Sequence, residues 1–281
     1  MSKIIVTSDQ HLGYEHSNVS DFKNFLNYIS SRRSDVGTLI LLGDFVDMWR
    51  RDASGLFLIF SDIIDKLIDL QNSNKINVYI IAGNHDYHLL KLQGHDYKFE
   101  FYKQLSNESS SIKVTGTTKY SFKHGWEFDL AQNPLVMEAM CHNMSDGAGR
   151  ARSSVYNALQ IGWDQFDKIL KGIINYHNGK NGYVENLMLP PEERLKPYIG
   201  DVERTAYAAV QKDEILVFGH THRPFASTDG KLVNSGSWVD TADVHNTFVE
   251  IEPENASVKL FQFKNEQTIK DITNKQSYSL N

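Results

Sequence analysis

The chain has 281 residues, 41% of them hydrophobic, which is enough for one large domain or for one domain with an insertion. Its 29 basic and 35 acidic side chains give a net charge of −6, which argues against a protein that coats nucleic acid through bulk positive charge. The single cysteine, Cys141, excludes a disulfide framework and a cysteine-rich metal site, and we interpret it as a buried apolar residue. No apolar run approaches the roughly 18 residues of a membrane-spanning helix, so we expect a cytoplasmic protein.

Short apolar runs that end at a glycine or a polar residue predict buried strands of a sheet covered on both faces. The four clearest runs are residues 4–6, 39–42, 78–82 and 215–218, and a further strand is predicted near residues 120–123. Apolar residues at helical spacing fill the intervals between the first three runs, as the sets Phe22, Phe25, Leu26, Ile29 and Phe57, Phe60, Ile64, Leu67, Ile68. Ser20 is a candidate cap for the first of these helices. The alternation predicts two successive βαβ units and a parallel sheet.

The segment between the predicted strands at 120–123 and 215–218 is too long for an ordinary connection. Apolar spacing predicts helices at residues 135–144, 155–176 and 202–210, so we expect a helical lid over a functional site. We divide the chain into a core of residues 1–126 and 212–263, a helical insertion at 127–211 and a loose polar tail at 264–281. Smaller elements are a helix near Phe99 to Leu105 and strands at 231–233, 247–251 and 258–263.

Oxygen and imidazole donors follow most of the predicted strands, namely Asp9, His11, Asp44, Asn84, His124, His220 and His222. Ligands collect at the carboxyl ends of strands in α/β sheets, so these side chains are expected to converge. Carboxylate and imidazole suit two divalent metal ions, with Mn preferred and Fe, Zn, Co or Ni as alternatives. The two oxygens of one carboxylate can bridge two ions, and Asp44 is the predicted bridge.

The ordered motifs Asp9-x-His11, Gly43-Asp44-x-x-Asp47, Gly83-Asn84-His85-Asp86, His124-Gly125 and Gly219-His220-Thr221-His222 resemble the five-block signature of the calcineurin-like metallophosphoesterases. The resemblance covers residues 9–222, with the insertion matched poorly, and implies an α/β fold of four layers, αββα, around a dinuclear metal centre. Asp9, His11 and His222 would hold one ion, and Asn84, His124 and His220 the other, with Asp44 shared. His85 matches the proton-donating histidine of the family, and Asp86 matches the carboxylate that orients it.

The chemistry of such a site is consistent with phosphoryl transfer. Two divalent ions held by two carboxylates keep a local charge of about +2, which attracts phosphate. A hydroxide that bridges the ions can attack phosphorus, and a protonated His85 can supply the proton that a leaving alcohol needs. A structural role for His85 is the alternative. Asp47 is as compatible with capping the following turn as with a further carboxylate role.

Two branches of the family share further motifs with the chain. Trp49, the sequence His222-Arg223-Pro224 and the later Asn234-Ser235-Gly236-Ser237-Trp238 are similar to the branch that includes the UDP-diacylglucosamine pyrophosphohydrolases. That branch typically has arginine at the position of His85. The stretch from Asp9 to Tyr14 is similar to a motif of the recombination-repair nucleases. A nuclease is expected to have a more basic surface than this composition predicts.

Arg150, Arg152 and Arg223 are candidate substrate-binding residues, because guanidinium groups fit phosphate bidentately. We predict an enzyme that hydrolyses a phosphodiester or pyrophosphate bond in a small phosphorylated substrate, nucleotide-linked or similar. A nuclease, a phosphomonoesterase and a catalytically silent scaffold of the same fold remain the alternatives.

Overall fold

Two β-sheets face each other in the computed structural model, which describes residues 2–107, 118–129, 141, 200–265 and 268–278. The strands are, in chain order, β1 (Lys3–Thr7), β2 (Val36–Leu42), β3 (Asn77–Ile81), β4 (Glu100–Tyr102), β5 (Gln104–Ser106), β6 (Lys119–Lys123), β7 (Glu214–Phe218), β8 (Phe225–Ser227), β9 (Leu232–Asn234), β10 (Thr247–Glu252), β11 (Ser257–Asn265), β12 (Thr268–Asp271) and β13 (Ser277–Tyr278). The α-helices are α1 (Val19–Ser31), α2 (Ala53–Ile59), α3 (Ser61–Asn72) and α4 (Asp201–Ala209).

The first sheet has the strand order β12-β11-β10-β1-β2-β3-β4. Strands β1 to β4 are parallel, with Val6 opposite Ile40 and Leu41 opposite Ile80, whereas β10, β11 and β12 add to β1 in antiparallel fashion. The predicted βαβ units are therefore confirmed. The second sheet has the order β13-β8-β9-β7-β6-β5, in which β6, β7 and β9 are parallel.

Three apolar layers hold these elements together. On β2, Leu39 and Leu41 pack toward helices α1 and α3, while Ile40 and Leu42 pack between the two sheets against residues such as Phe122. A strand segment that is buried on both faces has no need of polar alternation, which is why residues 39–42 of β2 are all apolar. The outer face of the second sheet packs against α4, so the order of layers is helix, sheet, sheet, helix. The predicted four-layer fold is confirmed.

The helices of the first sheet follow the sequence pattern with two corrections. All four predicted core residues of α1 are buried, but the helix begins at Val19 after Asn18, so Ser20 lies inside it and is not its cap. The second predicted helix is two helices that meet at Phe60. The side chain of Asp52 caps α2 by accepting a hydrogen bond from the backbone N–H of Gly55 (2.6 Å).

Two predictions about secondary structure are wrong. The residues near Phe99 to Leu105 form β4 and β5 rather than a helix, because β4 pairs with β3 in one sheet and β5 pairs with β6 in the other. The tail is not loose at residues 268–278, where β12 pairs with β11 and β13 pairs with β8. Both strands lie at sheet edges, where one side of the strand faces solvent and a polar sequence is tolerated.

Only parts of the predicted insertion lie within the described residues. Helix α4 confirms the helix predicted at 202–210, and Cys141 is buried in an apolar cluster with Tyr87 and Trp126, as interpreted from the sequence. The helices predicted at 135–144 and 155–176 lie outside the described residues apart from Cys141, so the division of the chain into core and insertion stays a prediction. Among the helices that the structure does describe, none has the length and apolarity to cross a bilayer.

Candidate metal centre

The predicted donors converge at one edge of the two sheets. Asp9, Asp44 and Asn84 follow β1, β2 and β3 of the first sheet, while His124 and His220 follow β6 and β7 of the second. The sheets face each other, so donors from both reach a common centre. Asp9, Asp44 and His124 are almost completely buried. The convergence that the strand ends predict is therefore observed.

Most of these donors leave their strands through an unusual backbone conformation. The left-handed φ angles are 55° at Asp9, 47° at His11, 51° at Asp44, 67° at His220 and 57° at His222. Residues with a side chain rarely adopt this region, and each instance costs of order 1–3 kcal/mol. The backbone thus turns sharply at the donor positions, and the strain lies at the candidate site.

The first cluster consists of Asp9, His11 and His222. Oδ1 of Asp9 lies 3.2 Å from Nε2 of His222 and 3.7 Å from Nε2 of His11. The two ring nitrogens face each other at 3.1 Å. Nδ1–H of His11 donates to Oδ2 of Asp47 (3.3 Å), which directs Nε2 of the ring toward the cluster.

The second cluster lies around His124. Its Nδ1–H donates to the carbonyl oxygen of Leu42 (2.9 Å), and its Nε2 lies 3.3 Å from Oδ2 of Asp44 and 3.2 Å from Oδ1 of Asn84. The ring of His220 is 5.3 Å from the ring of His124, and its backbone N–H donates to Oδ2 of Asp9 (2.9 Å). Asn84 and His220, which were predicted to share an ion with His124, thus lie beside it.

Asp44 lies between the two clusters. Its Oδ2 is 3.5 Å from Nε2 of His11 in the first cluster and 3.3 Å from Nε2 of His124 in the second. Its Oδ1 accepts a hydrogen bond from the backbone N–H of His85 (2.8 Å). Donor atoms of Asp9, Asp44 and His124 all lie within 4.8 Å of one another, as do those of Asp9, His11 and His222.

The electrostatics of the site favour a bound cation. Burial disfavours the protonated ring of His11, yet Asp47 and Asp9 outweigh it and raise the pKa of His11 to about 10. Burial likewise opposes protonation of His124, but Asp44 and Asp9 raise its pKa to about 10. Burial also opposes ionisation of Asp9, but His124 and His222 hold its pKa well below the ordinary value. The carboxylates thus attract positive charge, which a metal ion supplies when it replaces the ring protons.

Asp47 caps the following turn, one of the two roles predicted for it, because its Oδ1 accepts a hydrogen bond from the backbone N–H of Arg50 (3.2 Å), whereas Asp86 has a role other than the one predicted. Nδ1–H of His85 donates to Oδ1 of Asp47 (3.1 Å), and Asp47 also contacts His11 and Arg50. Asp86 instead accepts hydrogen bonds from the backbone N–H groups of Gly83 (2.6 Å) and Phe45 (2.7 Å). The expectation that Asp86 orients His85 is therefore wrong, because its carboxylate is used to hold two strand-end loops together. Burial, followed by Asp44, raises the pKa of Asp86 to about 7.

His85 lies at the rim of the clusters with a fixed ring. Trp49 stacks on it with ring centroids 4.0 Å apart and an interplanar angle of 20°. The hydrogen bond to Asp47 engages Nδ1, so Nε2 is the nitrogen left to face a reactant. Asp47 is the positioning residue that sequence reasoning left undecided, since its spacing from Asp44 fits a turn cap equally well.

Of the three candidate substrate-binding arginines, the structure describes only Arg223. Arg223 directly follows His222 and is half exposed, with Nη1 4.0 Å from Oε1 of Glu203. Arg150 and Arg152 lie outside the described residues. The sequence pattern gave no signal for Glu203, because a single glutamate on an amphipathic helix is normally solvated.

Gly43 allows His124 to approach the end of β2. Its φ angle is 86°, and a Cβ atom at this position would overlap the imidazole of His124. We therefore expect Gly43→Ala to lower the free energy of unfolding by about 2 to 5 kcal/mol, as backbone strain and overpacking add. Urea denaturation of the purified protein measures this change.

Gly94→Ala is the matched control for this substitution. Gly94 has a similar φ angle of 78°, but nothing lies within 4 Å of the position of its missing Cβ. It should lose only about 1 kcal/mol through backbone strain. Equal losses in the two variants would contradict the close approach of His124 to Gly43.

Comparisons with known proteins show which family the chain resembles. A family model described as calcineurin-like phosphoesterase matches residues 2–224. The chain is 28% identical over 142 residues to a UDP-2,3-diacylglucosamine hydrolase of Psychromonas ingrahamii, an alignment that covers 50% of this chain and 55% of that protein. It is 29% identical over 122 residues to the protein of the same name from Blochmanniella pennsylvanica, with 43% and 46% covered. The chain thus spans about half the length of the curated relatives it matches.

Solved structures of low sequence identity also match. An archaeal phosphodiesterase has a TM-score of 0.40 and 12% identity, with 92% of this chain and 98% of that chain covered. A dimetal phosphatase from Danio rerio has a TM-score of 0.38 and 12% identity, with 97% and 98% covered.

Proposed function

Because the chain belongs to the calcineurin-like phosphoesterase family, we propose that it hydrolyses a phosphodiester or pyrophosphate bond with two divalent metal ions at the edge of its sheets. The observation that supports this most directly is the position of Asp44, whose Oδ2 lies within 3.5 Å of a histidine nitrogen in each cluster. A carboxylate that faces two imidazole sets can bridge a pair of ions.

The residues present fit divalent metal ions. Oδ1 of Asp9 is buried and has no hydrogen-bond donor among the described residues, although histidine nitrogens surround it. Nε2 of His11 and Nε2 of His222 face each other at 3.1 Å, where a shared cation would satisfy both lone pairs. The donors are carboxylate, amide and imidazole groups, which suit Mn, Fe, Zn or Co. Manganese is the ion we would test first.

The proposed ligand sets follow the two clusters. Asp9, His11 and His222 would hold one ion, and Asn84, His124 and His220 the other, with Asp44 shared. When bound, the ions polarise phosphoryl oxygens and make water a nucleophile at neutral pH. The protein keeps the ligand nitrogens oriented through Asp47 on His11 and the carbonyl group of Leu42 on His124.

His85 is the proposed proton donor to the leaving oxygen. Asp47 engages its Nδ1 and Trp49 stacks on its ring, so Nε2 is held at the rim of the metal clusters. Its protonated form would lose the Nε2 proton to the leaving alkoxide or phosphate as the P–O bond breaks. Asp47 then acts as a positioning residue for a ligand and for the acid at the same time.

The proposed substrate is a small phosphorylated compound, nucleotide-linked or similar. The names of the relatives support a nucleotide-linked substrate, since both are UDP-2,3-diacylglucosamine hydrolases. The chain departs from that branch at His85, where arginine is typical, so we propose that its leaving group needs a proton more than a fixed positive charge. Arg223 would bind an anionic group of the substrate beside the clusters, and we extend the same role to Arg150 and Arg152.

A metal and substrate panel tests the proposed function. Protein loaded with manganese and then dialysed should keep close to two ions per chain and should hydrolyse a chromogenic diester. Nucleotide sugars, cyclic nucleotides and single-stranded DNA are then compared at equal concentration, and we expect the highest kcat/KM with a nucleotide-linked pyrophosphate. Fewer than one ion per chain would indicate a scaffold, and preference for DNA would indicate a nuclease.

A further inference from the structure

A buried carboxylate lies beside the last motif of the metal centre. Glu203 of α4 is 1% exposed, and neither of its carboxylate oxygens has a hydrogen-bond donor in the described parts of the chain. The charged group nearest to it there is Arg223, whose Nη1 lies 4.0 Å from Oε1 of Glu203. Burial of a carboxylate without hydrogen bonds is costly, so a nearby positive charge is needed to stabilise it.

Packing of α4 fixes the position of Glu203. Ala206, one turn further along α4, is completely buried against Phe128, Phe218 and Phe225 on the outer face of the second sheet. Residues three apart share a helix face, so Glu203 lies on this same packed face. Its carboxylate is therefore held by the apolar contacts of the helix and not by hydrogen bonds of its own.

The backbone of Arg223 is fixed on both sides. His222 has a left-handed φ angle of 57°, and Pro224 restricts the preceding residue to extended conformations. Arg223 therefore starts from a defined point next to the ring of His222, whose Nε2 lies 3.2 Å from Oδ1 of Asp9. What the backbone does not fix is the direction of the long arginine side chain.

The distance between Glu203 and Arg223 permits attraction without a direct hydrogen bond. At 4.0 Å the carboxylate acts on the guanidinium through charge alone. A guanidinium carries five N–H donors in a planar fork, so one side can face a carboxylate while N–H groups on another side bind a phosphoryl oxygen. This geometry suits a residue that must be oriented and still engage a ligand.

We propose that Glu203 is a positioning residue that directs the guanidinium of Arg223 toward the phosphoryl group of the substrate. The inference rests on the proposed function, because it assigns a role at the same site. Glu203 lies in the segment predicted as the insertion, whereas Arg223 follows a metal ligand. The pair therefore links anion binding at the metal centre to the position of α4.

Glu203→Gln tests the inference, because glutamine keeps the volume of the side chain and removes its charge. Binding of inorganic phosphate to the manganese-loaded protein is measured by calorimetry, together with metal content and Tm. We expect the Kd for phosphate to rise about tenfold, within the range of coupling energies between neighbouring residues. Metal content should not change, and Tm should stay the same or rise because a buried charge is removed.

Two further variants separate positioning from a structural role. Arg223→Ala should weaken phosphate binding at least as much as Glu203→Gln, and the double variant should bind no more weakly than Arg223→Ala alone. Glu250→Gln is the matched control. Glu250 lies on β10, away from the clusters, is 7% exposed and accepts a hydrogen bond from Arg32 (2.7 Å). It should change Tm without changing the Kd for phosphate.

The outcomes distinguish this inference from the proposed function. If the wild-type protein binds phosphate and Glu203→Gln binds it equally well, or if the losses in the double variant are additive, Glu203 does not position Arg223. If the manganese-loaded wild-type protein neither binds phosphate nor hydrolyses a diester, the proposed function is wrong and the role of Glu203 falls with it. A lower Tm with an unchanged Kd would show that Glu203 is structural only.

Discussion

Replacement of Asp44 by asparagine should remove at least one metal ion and almost all activity. Oδ2 of Asp44 lies 3.5 Å from Nε2 of His11 and 3.3 Å from Nε2 of His124, so one charged oxygen serves both clusters. An amide has no negative charge and cannot bridge two cations. Since changes beyond the direct ligands already cost about 10- to 100-fold, we expect more than about a hundredfold loss of turnover.

Elemental analysis after manganese loading and dialysis measures the first part of this prediction, and diester hydrolysis measures the second. Asp240→Asn is the control, because Asp240 is exposed and its carboxylate contacts His16 (2.9 Å) instead of the clusters. The control should keep two ions and full turnover. If Asp44→Asn also kept both ions and full turnover, the bridging role of Asp44 would be refuted.

Replacement of His85 by alanine should separate chemistry from metal binding. The backbone N–H of residue 85, which donates to Oδ1 of Asp44, is retained in alanine, so both ions should stay bound. Loss of a general acid typically costs about 10²- to 10⁴-fold, and we expect this range for diesters with an alkyl leaving group. A nitrophenyl leaving group needs no proton, so its hydrolysis should fall much less.

Two controls accompany this substitution. His95→Ala removes an exposed histidine on a loop and should leave both substrates unaffected. Asp47→Asn should lower metal affinity as well as turnover, because Asp47 contacts His11 in addition to His85. An equal loss of turnover on the alkyl and nitrophenyl esters in His85→Ala would argue against proton donation and for a role in binding.

The buried strands and the donors at their ends could be predicted from local sequence. Four consecutive apolar residues in β2 indicate burial on both faces, and the glycine and aspartate that follow mark the end of the strand. A donor that directly follows a strand can be recognised from the neighbouring residues alone. Asp9, Asp44 and Asn84 could therefore be identified without knowledge of the packing. The φ angle of 51° at Asp44 was not predictable in this way, because only the assembled site sustains such strain.

Other features depended on contacts between distant parts of the chain. Phe101 and Leu105 are both buried, but they lie in strands of different sheets. The helix predicted across them therefore had no common apolar face to pack. Asp86 is adjacent to His85 in sequence, whereas Asp47 reaches it in space. Chain adjacency favours the wrong carboxylate, since strand-end loops bring together residues that are far apart in the sequence. The proximity of Glu203 to Arg223 could not be predicted for the same reason, because it arises only when α4 packs on the second sheet.

The origin of the donors in two different sheets has a consequence for folding. His11 and His222 are separated by 211 positions, yet their ring nitrogens lie 3.1 Å apart. Contacts of such long range form slowly, because loop closure must precede them. The complete donor set therefore exists only after both sheets have docked. We therefore expect the proposed metal ions to bind late in folding, so that the rate of metal binding would report the assembly of both sheets.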